Sequence, residues 1–298
     1  MNVINLRMYQ VRRLKPLELD SGVLNSESYM LILNKKLRTK DGSRMLFKYL
    51  DEQDNEEVMS RKMNTVDRLN RSDTYSNMSE LIIPDSVVNV DGKTAGFAMP
   101  LIEGHMNLGS LLNSPFVTFQ AKKYYLRKLG DLLDKLQRTS DEYFKMNLCD
   151  LNEYNFIIDQ DDNIRVVDLD SSYISGTDPS DMAYYLLRNP NLDHVPNKYR
   201  RTDSGIIIPS DNTDLYCYNM IILNTLARHP IYRAEVSEYY DYLDYLKGLG
   251  IPKELIYMFF HIYTGKDNMN PRDYIGEIPE QLEEVATYKE YKKFRRLF

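Results

Sequence analysis

The chain has 298 residues, 43% of them hydrophobic, so it can bury a sizeable core and form two lobes. Its net charge of −6 argues against a nucleic-acid scaffold, whose phosphate contacts need clustered lysine and arginine. No window approaches the about 18 apolar residues of a membrane span, and no signal-peptide pattern opens the chain, so we expect a cytoplasmic protein. Two cysteines, Cys149 and Cys217, are too few for a disulfide framework.

The first 50 residues predict strands of a small antiparallel sheet. Short apolar runs alternate with turns at Leu17–Leu19, Tyr29–Leu33 and Met45–Leu50. The last of these runs contains Lys48, and burying an unpaired ammonium group is costly. Lys48 is therefore expected to bind an anion, the alternative being an exposed lysine on an edge strand.

A helix and more strands follow. Residues 55–71 carry apolar side chains near helical spacing, at Val58, Met63, Val66 and Leu69. The sheet is then expected to continue through Leu81–Pro84, Val87–Val90 and Thr94–Met99, with a hairpin turn at Asp91-Gly92. The stretch MPLIEG, residues 99–104, predicts the end of a strand and a turn.

The second half of the chain is predicted to be mostly helical. Lys122–Ser140 is amphipathic, and further helices are expected at Tyr239–Leu249 and Lys253–Tyr263. Residues 171–209 are irregular and rich in Ser, Thr, Pro and Asn, which is typical of a functional or disordered loop. The terminal basic run YKEYKKFRRLF predicts a solvated helix end, with a nucleic-acid or anionic-lipid contact as the alternative.

Between these halves, residues 147–173 predict a β-hairpin flanked by acidic loops. Phe156–Ile158 and Ile164–Val167 are short apolar runs, and the polar residues 159–163 between them supply the turn. Because a tight hairpin brings its two ends together, the Asp and Asn residues of both loops are expected to lie side by side. They are Asp150, Asn155, Asp168 and Asp170.

Such a cluster of carboxylate and amide oxygens suits Mg²⁺ shared with substrate phosphates. The alternative is a hairpin whose acidic turns are simply solvated. The order Asp-x-x-x-x-Asn, hairpin, Asp resembles the catalytic loop and metal loop of protein kinases, with DLNEYN at DLxxxN and DLD at DFG. More narrowly, DLNEYNFIID and VVDLDSSYI are similar to the GDLNxxN and IDxDS motifs of bacterial protein-kinase-like proteins.

The resemblance extends over roughly residues 17 to 270. It implies an α+β, two-lobed protein-kinase-like fold, with an antiparallel-sheet N-lobe at residues 1–103 and a mostly helical C-lobe at residues 104–298. The lobes would join through a short hinge near residues 100–104.

The resemblance also implies catalytic and metal-binding roles. Asp150 would orient or deprotonate an acceptor hydroxyl, and Lys48 would hold the α- and β-phosphates of ATP. Asn155 and Asp168 would bind Mg²⁺, and Asp170 would be either a further metal ligand or a loop-capping carboxylate. Asn152 stands where kinases have a lysine that contacts the transferred phosphate, and Leu148-Cys149 replaces the usual His-Arg.

For the nucleotide, the resemblance implies that Met99 is the gatekeeper and that adenine bonds to the Pro100 carbonyl and the Ile102 amide. The phosphate-covering turn would be SGVLNSES, where Gly22 is the one glycine and Ser26 and Ser28 are alternative hydroxyl donors. Lys48 would pair with Glu57 or Glu56, although the apolar pattern of the helix places Lys62 at the usual glutamate position.

Asp214, in the stretch TDLYCYNMIILNTL, matches the buried aspartate that orders the kinase catalytic loop through backbone N–H groups. The alternative is a helix N-terminal charge favoured by the dipole, and both can hold. Asp214 and the long loop before it favour a protein substrate.

Three classes of function remain open: an ATP- and Mg²⁺-dependent kinase acting on protein Ser or Thr, a nucleotide-binding pseudokinase, and a kinase-fold AMP-transferase or small-molecule kinase.

Overall fold

A computed structural model of the chain describes residues 1–16, 28–31, 45–50, 56–102, 104–139, 145–175, 201–203, 206–263 and 269–296. The predicted strand at Leu17–Leu19, the turn with Gly22, Glu103 and most of residues 171–209 lie outside the described residues. The described chain is α+β, as predicted, with small, mostly antiparallel sheets and many helices.

The strands and helices of the described residues are numbered in chain order. The strands are β1 (Asn2–Leu6), β2 (Lys15–Pro16), β3 (Ser28–Leu31), β4 (Met45–Tyr49), β5 (Ser86–Val90), β6 (Lys93–Pro100), β7 (Gly104–Asn107), β8 (Met146–Asn147), β9 (Phe156–Asp159), β10 (Ile164–Val166), β11 (Tyr173–Ile174), β12 (Arg201–Asp203) and β13 (Ile206–Ile208). The helices are α1 (Met8–Val11), α2 (Glu56–Arg71), α3 (Asp73–Ser76), α4 (Leu108–Asn113), α5 (Phe119–Thr139), α6 (Asp211–Ala227), α7 (Val236–Gly248), α8 (Lys253–His261), α9 (Arg272–Ile275), α10 (Leu282–Val285) and α11 (Tyr288–Arg295).

The chain divides into two compact units. The first consists of Met1–Ser110 and Asn155–Ser180, and the second of Leu111–Tyr154 and Asp181–Phe298. The β9–β10 hairpin, which the sequence-based division places within residues 104–298, packs within the first unit.

The first unit contains a six-stranded sheet in the order β1-β5-β6-β4-β3-β2 and a three-stranded sheet in the order β10-β9-β7. The hairpin turn predicted at Asp91-Gly92 is confirmed, since both residues have positive φ, as a type I′ hairpin turn requires.

Two predictions about the sheet of the first unit are corrected. The sheet is not wholly antiparallel, because β1 pairs in parallel with β5, from Asn2 opposite Ser86 to Leu6 opposite Val90. Leu81–Pro84 is not a strand of this sheet. Leu81 forms a single bridge with Val166 of β10, and the Ile82 N–H donates to the Val166 carbonyl at 2.9 Å.

The two faces of the six-stranded sheet differ in chemistry. Side chains alternate along β4, so Met45 and Phe47 lie on the face that packs with Leu6, Val11 and other apolar residues. Lys48 lies on the opposite face, where its β6 neighbour Phe97 packs with Val66 of α2. The lysine of β4 therefore lies on the face that α2 covers.

Gly96 of β6 allows β4 and β6 to approach closely at Lys48. Gly96 has φ +150°, and a Cβ atom at this position would collide with the backbone carbonyl oxygen of Lys48. Only glycine therefore fits without a shift of the strand that carries the lysine.

The second unit is built around helices α5 and α6. Helix α6 is buried on nearly all sides, which is typical of a core helix. The Tyr218 hydroxyl of α6 donates to the Leu126 carbonyl of α5 at 2.7 Å. Within the described residues, no helix is both long and apolar enough to cross a membrane.

Candidate functional site

The predicted hairpin is confirmed. Strands β9 and β10 pair antiparallel, with Ile158 opposite Ile164 and Phe156 opposite Val166. One Asp159 carboxylate oxygen accepts from the backbone N–H groups of Asp161 and Asn163, at 3.0 and 2.8 Å. The other accepts from Arg165 Nε at 2.6 Å, and together these bonds lower the pKa of Asp159 although burial alone would raise it. Asp159 thus stabilises the turn.

The hairpin also brings its two ends together, as the sequence predicts. The Val167 N–H donates to the Asn155 carbonyl at 3.0 Å, so the start of β9 lies beside the segment that follows β10. Asp168 then adopts a left-handed conformation, φ 66° and ψ 35°, which aspartate tolerates better than most residues. A 3₁₀ turn at Leu169–Ser171 follows and carries Asp170.

Four charged side chains meet at this end of the hairpin, and we call them the Lys-Asp cluster: Lys48, Lys62, Asp168 and Asp170. The Lys48 ammonium contacts Asp168 Oδ1 and lies 3.0 Å from both carboxylate oxygens of Asp170. Lys62 Nζ lies 3.8 Å from Asp170 Oδ2. The Asp170 side chain is completely enclosed, whereas that of Asp168 keeps 17% of its surface exposed.

The two carboxylates keep Lys48 charged. Burial alone would lower the pKa of Lys48, but the charges of Asp168 and Asp170 outweigh it, and the pKa is raised. Burial alone would likewise raise the pKa of Asp170, yet Lys48 and Lys62 lower it. The cluster therefore contains two buried cations whose charges balance those of two anions.

The predicted pairing of Lys48 with Glu57 or Glu56 is not what the structure contains. Both glutamates are exposed in the first turn of α2, and Lys48 bonds to Asp168 and Asp170 instead. The buried stripe of α2 is formed by Lys62, Thr65, Val66 and Leu69. Because α2 turns this stripe toward the sheet, the glutamates at its start point away from Lys48.

Lys62, which the apolar pattern of the helix places at the usual glutamate position, is the residue of the cluster to which the sequence analysis gave no chemical role. Its signal was present in the helical period, since Lys62 lies four residues after Val58 and four before Val66. Helical spacing alone therefore places this lysine on the buried face, where it needs a counter-charge.

In the second unit, Asp214 orders the loop that carries Asp150. Asp214 Oδ2 accepts from the Leu148 N–H at 2.9 Å, and Oδ1 accepts from the Cys149 N–H at 3.3 Å. These contacts confirm the predicted bonding of Asp214 to the backbone. Cys149 has a positive φ of 58° in the tight bend directly before Asp150, where the Asp150 N–H donates to the Leu148 carbonyl at 2.7 Å.

Asn152 acts locally in the same loop. Its Oδ1 accepts from the Tyr154 N–H at 3.0 Å, and its Nδ2 donates to the Asp150 carbonyl at 3.2 Å. Its amide therefore fixes the backbone on both sides of Leu151. The catalytic roles of Asp150 and Asn152 stay predictions.

The predicted adenine-binding residues lie at the end of β6 and just after it. Met99 is buried opposite Leu46 of β4, and Pro100 ends the strand opposite Met45. Pro100 and Ile102 are partly exposed. Gly22, predicted to cover the phosphates, lies outside the described residues.

The donor atoms of the first unit fit a magnesium ion in part. Among the described residues, no three His, Cys, Asp or Glu side chains converge as a metal site. Mg²⁺ is usually held by one or two carboxylates and by substrate phosphates, and Asp168, whose carboxylate is partly exposed, fits this need. Asn155 lies directly before β9, and its carbonyl accepts from the residue before Asp168. Asp170 fits less well, because both of its oxygens are bonded to Lys48.

Comparison with known proteins adds no assignment. No protein-family model matches the chain, and no curated protein is significantly similar to it.

Proposed function

We propose that this chain is an ATP- and Mg²⁺-dependent phosphotransferase with a two-lobed, protein-kinase-like fold, transferring the γ-phosphate to Ser or Thr of a cytoplasmic protein. One observation carries the proposal: the buried Lys48 of β4 bonds to Asp168 at the end of the hairpin. A lysine and an aspartate brought together from a sheet and a hairpin are the pair that phosphoryl transfer needs for phosphate and metal.

Lys48 supplies the phosphate-binding charge in this proposal. Its ammonium is shared by two carboxylates, of which Asp170 is enclosed and Asp168 is partly exposed. Lys48 therefore exchanges Asp168 for a phosphate oxygen when the nucleotide binds, while Asp170 keeps the lysine in place. This exchange costs little, because a charge-assisted bond replaces another of the same kind.

Asp168 and Asn155 would hold Mg²⁺, which when bound neutralises charge on the phosphates. Asp150 accepts the proton of the substrate hydroxyl and is positioned by the turn that Asp214 holds. Met99, Pro100 and Ile102 would contact the adenine.

A nucleotide-binding pseudokinase is the second candidate. It is favoured by Asn152, whose amide is bonded to the backbone and brings no positive charge to the transferred phosphate. An AMP-transferase would keep the same nucleotide-binding residues and transfer the α-phosphate instead.

The test uses ATP labelled at the γ- or at the α-phosphate, with Mg²⁺ and a cell extract. We expect γ-label on protein Ser or Thr, reduced about 10²- to 10⁴-fold in Asp150→Ala, because this variant lacks the proton acceptor. The matched control is Asp161→Ala, which removes an exposed carboxylate from the hairpin turn and is expected to leave transfer unchanged.

Each outcome separates the candidates. Label from the α-phosphate alone identifies an AMP-transferase, and no label with nucleotide binding identifies a pseudokinase. Binding is measured as thermal stabilisation, which corresponds to about 2.7 kcal/mol when Mg²⁺-ATP is at 100 times its Kd. A melting temperature unchanged by millimolar Mg²⁺-ATP would contradict all three candidates, because each of them binds the nucleotide.

A further inference from the structure

Lys62 is the second buried cation of the Lys-Asp cluster. It comes from the middle of α2, its side chain is 8% exposed, and its ammonium group lies 3.8 Å from Asp170 Oδ2. Asp170 in turn bonds to Lys48 through both oxygens at 3.0 Å. Lys62 and Lys48 thus both contact the carboxylate of Asp170.

In the proposed function Asp168 leaves Lys48 and binds Mg²⁺, so the charges of the three remaining residues of the Lys-Asp cluster determine what Lys48 can bind. Lys48 and Asp170 alone form a neutral pair, which leaves no net charge to attract a phosphate. With Lys62 included, the three side chains carry a net charge of +1. Because they are buried, this charge is screened less by solvent and salt than a surface charge would be.

We propose that Lys62 is a positioning residue for the nucleotide: it neutralises Asp170, so that Asp170 anchors Lys48 without cancelling the charge that Lys48 presents to the phosphates. This inference rests on the proposed function. It also gives Asp170 the role of anchoring Lys48, in place of the two roles considered from the sequence.

A purely structural role for Lys62 makes different predictions. If the lysine only filled space beside α2, a methionine of similar length would replace it with little effect on phosphate binding. If it only stabilised the fold, its loss would weaken the binding of all ligands of the site to the same extent. If Lys62 instead acts through its charge, its loss weakens only the binding of ligands that carry phosphates.

The experiment measures the Kd of Mg²⁺-ATP and of adenosine, which lacks phosphates, for the full chain and its variants. Lys62→Met is expected to weaken the binding of Mg²⁺-ATP about 10- to 100-fold. This is the range for residues that orient a metal ligand without touching the metal themselves. Adenosine binding is expected to stay within about threefold of the parent value. Lys62→Arg keeps the charge and should regain most of the affinity.

Two further variants sharpen the test. Lys93→Met removes an exposed lysine from β6 in the same unit and is the matched control, with no expected change. The double variant Lys62→Met/Asp170→Asn returns the net charge of the three positions to +1, and its asparagine still accepts a bond from Lys48. It is therefore expected to bind Mg²⁺-ATP more tightly than Lys62→Met.

Several results would overturn the inference. One is that Lys62→Met binds Mg²⁺-ATP with the Kd of the parent. Another is that Lys62→Met loses as much affinity for adenosine as for Mg²⁺-ATP. A third is that the double variant binds Mg²⁺-ATP more weakly than Lys62→Met. If Lys62→Met does not fold, Lys62→Arg and the double variant both keep the +1 charge, and failure of both to bind within about tenfold of the parent has the same meaning. A parent chain that binds no Mg²⁺-ATP overturns the proposed function itself, which distinguishes the two failures.

Discussion

Two buried aspartates of this chain are compensated in different ways. Asp170, in the first unit, is completely enclosed, accepts hydrogen bonds from Lys48 and forms an ion pair with Lys62. Asp214, in the second unit, is 6% exposed and accepts from the backbone N–H groups of Leu148 and Cys149. Asp170 is balanced by the charges of two lysine side chains, and Asp214 by the dipoles of backbone N–H groups.

The difference suits two different tasks. A lysine side chain has several rotatable bonds and can exchange one anion for another, so the Lys-Asp cluster is able to rearrange around a ligand. Backbone N–H groups cannot be exchanged without moving the chain, so Asp214 fixes the turn before Asp150. The first arrangement is suited to binding, the second to positioning.

The largest loss of stability is expected when the Lys-Asp cluster loses Asp170. Asp170→Ala removes the carboxylate that the two buried lysines share, and removing one partner of a buried ion pair costs about 3 to 5 kcal/mol. We expect the free energy of unfolding, measured with urea, to fall by this amount. The control Asp161→Ala, at an exposed carboxylate of the same hairpin, should change it by less than about 0.5 kcal/mol. An equal change in both variants would mean that the cluster does not stabilise the fold.

Breaking the backbone arrangement should cost somewhat less. Asp214→Ala leaves the N–H groups of Leu148 and Cys149 buried without this acceptor, at about 1 to 3 kcal/mol for each unsatisfied group. We expect a loss of about 2 to 4 kcal/mol on urea unfolding, in the lower part of the range for two groups because the Cys149 bond is long at 3.3 Å. The loss should be smaller in Asp214→Asn, whose amide oxygen still accepts. The control is Asp244→Ala, at an exposed position of α7. A variant Asp214→Asn as unstable as Asp214→Ala would contradict the role given to these two bonds.

The smallest effect concerns pH. The pKa of Asp170 in the folded chain lies below its ordinary value of 3.8, because the two lysines outweigh burial. Its contribution to stability is therefore present above about pH 3.8 and is lost as the pH falls through the lower, folded value.

Urea unfolding between pH 6 and pH 2 tests this sign. The parent should lose stability more steeply than Asp170→Asn in the acid range, with an extra slope of at most about 1.4 kcal/mol per pH unit for one proton. Parallel pH profiles of parent and variant would show that Asp170 is not held charged by the lysines.

Local patterns were sufficient to predict much of the site. The hairpin, its polar turn, the strand that carries Lys48 and the helix α2 could all be predicted from short runs of the sequence. The bonding of Asp214 to the backbone directly before Asp150 was predicted from the resemblance to kinases, and the structure contains these bonds. These features depend on periodicity, turn chemistry and motif spacing, all of which are local properties of the amino-acid sequence.

The charge partners of Lys48 and the pairing of β1 depend on the tertiary structure. The rotation of α2 against the sheet determined that Lys48 bonds to Asp170 and not to Glu57, and it brought Lys62 onto the same carboxylate. The parallel pairing of β1 with β5 joins segments about 80 residues apart, for which no local pattern exists. Sequence patterns specify which face of an element is buried, but the choice of a charge partner depends on how that face is oriented against the next element.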